Sequence, residues 1–373
     1  MKNKTKVISF PLFLLVFIML ISFGRQKVGW KSKNNVLKIK FVEDLIIKSS
    51  GEGYSFFVQG VEADSEGNIY IMDRYDFKVL KFDKDGKFTG GIGKKGQGPG
   101  EFETPITIFI DNKDNLYVHD ITRWSLVVFN KKGEFVENIK GTGILYYLSK
   151  VMINPDLNIA CGYQPLSTMD DEQIYKISKF DREFNHLLDI YEREGVFITK
   201  SIRTGGGTFS MQAPRYTPGV IWTMDSDGRF YISYNDSYNI KILSNNGELI
   251  SEINRKYKPE KISDEEKKQM LESYEKRIKN ISKYIDFPKV KPPILRLYTV
   301  EDYLFVLRKR IGKEYFFDVF DKQGNYIDEI ALDFFPMLNK NNFIYTLRFI
   351  GNIETRDFTD VEICRYKIVS NID

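Results

Sequence analysis

The chain has 373 residues, with 55 Lys and Arg facing 51 Asp and Glu, and 42% of its side chains are apolar, 14% aromatic. Three of those bases (Lys2, Lys4, Lys6) lie at the extreme N-terminus, leaving 52 against 51, which is too even a balance for a nucleic-acid footprint. Two His are few for zinc chemistry and two Cys make no disulfide framework, while the apolar content supplies a sizeable core and no Pro/Ser/Gly-rich linker divides it, so one closed domain is expected.

In chain order, the first element is a leader. Lys2, Lys4 and Lys6 precede an apolar stretch from Val7 to Phe23, and Ser22 and Gly24 put small residues where a signal peptidase reads. Residues 1–24 are expected to be a signal peptide cleaved after Gly24. An uncleaved membrane anchor is the alternative, since a 17-residue stretch reaches the lower limit for a bilayer span. No Cys follows that would take a lipid. In both cases the remainder is expected outside the cytoplasm, periplasmic or secreted.

Residues 61–90 overlay residues 108–137 at a constant offset of 47, without a gap. Asp64 falls on Asp111, Asn68 on Asn115, Tyr70 on Tyr117, Asp73 on Asp120, and Gly86 on Gly133. At an offset of 161, Asp225, Gly228, Tyr231 and Gly247 repeat Asp64, Gly67, Tyr70 and Gly86, and Tyr238 takes the aromatic place of Phe77 and Trp124. "FDKQG" at Phe320–Gly324 marks a fifth copy, "NIACG" and "ISKFD" a degenerate third, and "FIYTLRF" with "EICRYKI" a sixth. Within a copy, β-branched and aromatic runs alternate with Asp/Gly turns, which reads as four antiparallel strands. Repeats of this length that cannot bury their faces alone are propeller blades, and six at roughly 45 residues need about 270. The fold class expected is all-β, a six-bladed β-propeller of four-stranded antiparallel blades over residues 36–370. "VLKIKFVEDLIIK" (Val36–Lys48) has no turn partner and the sixth copy is one strand short, so the early segment is expected to complete the last blade and leave no open edge there.

Two insertions fall between blades, at residues 193–217 and 256–292. The first carries "RTGGGTFSMQAPRYTPG" (Arg203–Gly219), without periodicity, and is expected to be a mobile loop over the channel mouth. The second contains an amphipathic helical insertion between blades 4 and 5 (259–287). Ser263 and Glu266 form a capping box, Met270, Tyr274, Ile278, Ile281 and Ile285 make an apolar stripe, and Lys267, Lys268, Lys276, Arg277, Lys279 and Lys283 lie opposite. That basic side is either solvated or a docking surface for a partner or an anionic membrane.

In a four-stranded blade the inter-blade connection and the loop between the second and third strands share one face, where function gathers. The register puts Asp73, Arg74, Asp76, Asp120, Arg123, Trp124, Asn235, Asp236, Arg308 and Arg310 there, with Arg203 and Arg215 from the first insertion and Arg348 from blade 6. Asp73 and Asp120 recur at the repeat spacing, which fits carboxylates accepting backbone N–H groups. The arginines are not repeat-linked. Arg74, Asp120, Arg123, Trp124, Arg203, Arg215, Asp236 and Arg308 are the candidate ligand-binding set, for an anionic ligand.

"GIGKKGQGPGEFETP" (Gly91–Pro105), together with "GNIYIMD" and "FDKDGKF", resembles NHL-repeat proteins, and in particular the six-bladed propellers found as secreted or membrane-anchored bacterial proteins. The resemblance covers residues 36–370. A phosphate loop would have to open a helix, whereas "FETPITIFID" reads as another strand, so the glycines serve the crossing between blades. Some propellers of this kind hold a metal in the channel, and the resemblance allows a lyase or lactonase.

Two functions are carried forward. One is a non-enzymatic binding or scaffolding propeller that engages a protein or a small anionic ligand through the face bearing both insertions. The other is a divalent-metal-dependent hydrolase or lyase acting in the channel. No cofactor is called for by any motif, His119 and His186 form no zinc set, and a calcium site of Asp, Asn and Glu oxygens stays open.

Overall fold

The computed structural model describes residues 30–33, 37, 39–51, 54–56, 58–73, 75–140, 148–153, 159–163, 174–195, 199–204, 207–212, 215–275, 287–352 and 357–370. The expected leader and residues 276–286 of the expected helical insertion lie outside them, and among the described residues no helix is long and apolar enough to cross a membrane.

Six four-stranded antiparallel sheets follow one another as the repeat requires. Blade 1 is Val58–Ala63, Ile69–Asp73, Lys78–Phe82 and Phe88–Ile92, paired in that order. Blade 2 runs from Pro105–Ile110 to Phe135–Lys140, blade 3 from Leu148–Ile153 to His186–Glu194, blade 4 from Val220–Met224 to Leu249–Asn254, and blade 5 from Arg296–Val300 to Tyr326–Leu332. First strands of neighbouring blades meet around the axis. The buried apolar residues fall into six clusters, one in each seam between blades. A single blade has both faces apolar, so only the closed ring removes them all from water.

The repeated Asp-Asn-Tyr signature is a hydrogen-bond cage. Asp64 accepts the backbone N–H groups of Glu66 and Asn68, the Asn68 side-chain amide and the Tyr70 hydroxyl at 2.8–3.1 Å. Asp111 does the same with Lys113, Asn115 and Tyr117, and Asp225 with Asp227, Arg229 and Tyr231. Each buried carboxylate is thereby satisfied and each hairpin pinned. In the Gly-rich crossing, Gly93 has φ +76° and a Cβ there would stand 2.2 Å from the Phe102 ring. Glycine at that point lets the fully buried Phe102 fill the seam between blades 1 and 2.

Closure follows the expected route, with one refinement. Ile39–Lys48 pairs antiparallel with Asp357–Ser370 and is the outer strand of blade 6, whose others are Pro336–Lys340 and Phe343–Asn352. A bulge between Glu43 and Leu45 reverses the facing of the strand. Ile39 and Phe41 pack into the seam with blade 5, and Ile47, beyond the bulge, into the seam with blade 1. Asp44, at the bulge, takes both Nε and Nη2 of Arg365 at 3.0 and 2.9 Å. Ahead of this strand, Trp30–Ser32 adds a fifth strand to the outer edge of blade 5, opposite Ile330–Leu332. Three residues carry too little pattern to announce themselves.

The first insertion differs from expectation and the second follows it. Thr199–Thr204 and Gly207–Gln212 form a two-stranded antiparallel hairpin where a patternless loop was expected, because "TKSIRT" and "GTFSMQ" pair through every residue. In the second insertion the helix is Asp264–Glu275. Ser263 Oγ accepts the Glu266 N–H and the Glu266 carboxylate accepts the Ser263 N–H, the reciprocal capping box. Met270 is buried beneath it.

Candidate functional site

A cavity of about 470 Å³ opens on the rim between blades 4 and 5, on the face that carries the inter-blade connections. Four stretches of chain build it. Leu249–Asn254 ends in "RKYKPE" (Arg255–Glu260), which supplies Arg255, Lys256, Tyr257 and Lys258; the returning limb of the insertion supplies Lys291, Pro292, Pro293 and Leu295. The second strand of blade 5 contributes Arg308, Lys309 and Arg310, and the residues just before blade 4 contribute Arg215 and Tyr216.

Each stretch is held by local physics. The two limbs of the insertion pair through an isolated bridge, Lys261 with Val290, and through the Lys291 N–H donating to the Glu260 carbonyl at 2.8 Å. Lys291 lies 2.9 Å from Glu266, the capping residue of the helix, and Tyr216 donates to that same carboxylate at 3.3 Å. The Lys291 ammonium and the Ser263 N–H hold the Glu266 carboxyl down at about 2. Partial burial pulls Lys291 the other way, but its bonds to Glu260 and Glu266 win and raise it. Pro292 and Pro293 keep the limb extended.

On the blade 5 side, the second strand, Tyr303–Ile311, bulges between Leu307 and Lys309, so Arg308 is the extra residue and its side chain is re-aimed. It points to Asp318 on the adjacent strand, Nη1 to Oδ1 3.1 Å, and reaches Glu329 at 3.3 Å. Asp318 has no exposed surface. It also faces Arg255 Nη1 at 3.0 Å, an ion pair without hydrogen-bond alignment, and accepts the Tyr238 hydroxyl at 2.6 Å. Burial first, then the Asp318 charge, hold the Tyr238 phenol protonated far above its ordinary range. Arg255 lies over the Tyr326 ring at 4.2 Å.

The charge balance is lopsided. Arg215, Arg255, Lys256, Lys258, Lys291, Arg308, Lys309 and Arg310 line the cavity against two acids, Glu260 and Asp318. Both acids are engaged, Glu260 by Lys291 and Asp318 by two guanidiniums and a phenol. Among the described residues no acid pairs with Arg215, Lys256, Lys258, Lys309 or Arg310. Such a site attracts anions.

The predicted set divides. Arg215 and Arg308 come together in the cavity. Asp236 lies one seam away, in a small cleft where Arg193 stacks 3.6 Å over Tyr234. Asp120, Arg123 and Trp124 stay on blade 2. Asp120 is buried and accepts the Glu103 and Thr104 N–H groups, and Arg123 donates to the Glu101 carbonyl, so both stitch the Gly-rich crossing to its blade. Trp124 has φ +47°, as Phe77 has +53° at the same repeat position. Arg74 and the side chain of Arg203 lie outside the described residues. Arg255, Lys256, Lys258, Lys291 and Lys309 are additional residues; for all but Lys291 the sequence carries the signal, two basic runs, "RKYK" and "RKRIGK", each falling on a rim connection.

The central channel is lined differently. Its first strands reach across to neighbouring carbonyls: Lys150 Nζ to Trp222 at 2.8 Å, Thr299 Oγ1 to Met224 at 2.9 Å, Asn339 Nδ2 to Thr299 at 3.0 Å and Lys340 Nζ to Ile110 at 3.4 Å. Glu62 lies 3.9 Å from Lys340 and keeps 17% of its side chain open to the channel, yet protein surrounds it so closely that burial pushes its carboxyl up to about 7. Burial, then the charge of Arg296, bring the Lys150 ammonium down to about 7. Among the described residues no three His, Cys, Asp or Glu side chains converge as a metal set. Cys161 and Cys364 are buried free thiols in blades 3 and 6.

Residues 58–235 match the family model DUF5128, described as a 6-bladed beta-propeller. No curated protein matches the sequence. Among solved structures, a candidate exported protein of Bacteroides fragilis aligns over 91% of this chain and 97% of its own, at 14% identity and TM-score 0.53. A member of the DUF4221 family from Bacteroides vulgatus aligns over 90% and 100%, at 11% identity and TM-score 0.51. Virginiamycin B lyase of Staphylococcus aureus aligns over 87% and 99%, at 10% identity and TM-score 0.45. At these identities the likeness is one of fold.

Proposed function

We propose that this chain is an extracytoplasmic, non-enzymatic binding propeller that takes an anionic ligand in the rim pocket between blades 4 and 5. The observation that carries the reading is the convergence of eight cations from four stretches of chain on one cavity whose two acids are already paired. The location outside the cytoplasm rests on the leader, with its Lys-rich start, apolar stretch and small residues at Ser22 and Gly24. The test is calorimetric titration of inorganic phosphate into the purified chain and into a Lys256→Glu/Lys258→Glu variant. Binding that survives the double charge reversal unchanged would show that the pocket is not the site.

A second reading, hydrolysis or elimination in the channel, is favoured by one observation. Glu62 and Lys150 both titrate near neutrality on the channel wall, as acid and base groups in catalysis often do. Stoichiometric calcium or zinc in protein purified without chelator would support it, since that reading calls for a divalent ion.

A further inference from the structure

We infer that the occupant of the rim pocket is a compact polyanion, a molecule bearing several phosphate or sulfate groups, and not a monocarboxylate. This rests on the anion-binding reading and sharpens it. Arg255 and Arg308 form a fixed floor, because each meets the Asp318 carboxylate within 3.1 Å, Arg255 is also stacked on Tyr326, and Arg308 is also tied to Glu329. A guanidinium carries five N–H donors. Arg255 makes no aligned hydrogen bond to Asp318 and Arg308 spends only one or two donors on its contacts, so the floor offers planar forks that lose little freedom on binding an oxyanion.

The remaining cations behave differently. Lys256, Lys258, Lys309 and Arg310 are exposed at the mouth of the cavity, and Lys and Arg stems of this kind adapt to where charge is offered. A cavity of about 470 Å³ keeps its lining within roughly the screening length of physiological salt, about 8 Å, so these like charges repel one another with little relief from ions. One negative charge satisfies the floor and leaves the mouth uncompensated. Several charges on one compact body satisfy both, and the Tyr216 and Tyr257 rings give that body a wall to rest on.

The experiment compares four probes on the full chain by calorimetry at about 50 and about 200 mM salt: acetate, inorganic phosphate, inositol hexakisphosphate and sucrose octasulfate. Either polyanion is expected to bind at least about tenfold more tightly than inorganic phosphate, with the advantage shrinking in the higher salt. The Lys256→Glu/Lys258→Glu variant is expected to lose about tenfold or more for the polyanion at unchanged melting temperature, since both residues are exposed. Which polyanion binds tighter assigns the phosphate or the sulfate source. Acetate and phosphate binding as tightly as the polyanions would overturn the inference and leave the anion site standing. Failure of all four probes would overturn both. Polyanion affinity indifferent to the double reversal would place the contact elsewhere and overturn the inference as well.

Discussion

Tyr238 of blade 4 donates its phenolic hydrogen to Asp318 of blade 5 across 2.6 Å, and the acceptor has no exposed surface. The bond crosses a seam that is otherwise apolar on the blade 4 side, with Ile240, Ile242 and Ile253 beside Tyr238. It therefore fixes the floor of the pocket and the contact between two blades together. Tyr238→Phe removes one partner of a carboxylate that keeps its two arginines, and is expected to cost about 1 kcal/mol. Asp318→Ala strips two guanidiniums of their shared counter-ion. Breaking a buried pair costs about 3–5 kcal/mol, and because Arg255 and Arg308 stay about a third exposed, roughly 2 kcal/mol is expected. Urea denaturation of both variants checks the order; equal losses would mean that the arginines do not depend on Asp318.

Phe41 sets the strength of the ring closure. It has no exposed surface and meets Phe305 and Phe334 edge-on at 6.1 and 5.9 Å, so an outer strand from the start of the chain is anchored in blade 5 as well as blade 6. Phe41→Ala is expected to cost about 3–5 kcal/mol. Lys40→Ala, one residue away and exposed, is expected to change stability by less than about 0.5 kcal/mol. Denaturant midpoints of the pair decide it.

Glu62 gives stability a pH dependence of definite sign. Its folded value, about 7, lies above its ordinary 4.5. The folded state therefore prefers the protonated acid; that contribution is fully present below about 4.5 and is lost as pH rises to about 7. Glu62→Gln keeps the neutral shape and is expected to gain on the native chain by on the order of 2 kcal/mol between pH 4.5 and 7.5. Thermal melts across that window would show parallel curves if the side chain titrated normally.

Lys150 has the opposite slope. Its folded value of about 7 lies below 10.5, so the contribution present at high pH is lost as pH falls towards 7. Lys150→Met retains an apolar stem near the Trp222 ring, which Lys150 Nζ overlies at 5.2 Å, and is expected to gain on the native chain by roughly 2 kcal/mol from pH 10 to pH 7. A variant that loses ground over that range would show that the bond from Lys150 to the Trp222 carbonyl outweighs the buried charge.

The repeat was legible because its physics is local. Asp64, Asn68 and Tyr70 satisfy one another within seven residues, so the same pattern returns wherever the same hairpin does. The closing strand was legible by subtraction, as a strand-like run without a partner beside a blade that lacked one. The site was legible only in part. Nothing near Arg308 in sequence reveals that a bulge turns it onto Asp318, or that Arg255 comes from the neighbouring blade to share that acid. The hairpin at Thr199–Gln212 was missed because its two segments carry only three apolar residues between them, Ile202, Phe209 and Met211, too few for an alternation that betrays a strand.

The pairing of Asp44 with Arg365 spans 321 positions of chain. Ile39–Lys48 precedes all of blade 1 in the chain, and the strand it pairs with, Asp357–Ser370, follows all of blade 5. Contacts so remote in sequence form late and slowly. The ring thus stays open until Asp357–Ser370 is available, and until then Phe41 and Ile47 lack part of the blade 6 surface that covers them. Such a chain remains pliable for as long as its tail is missing, and any factor that guards exposed apolar strands has that interval in which to act.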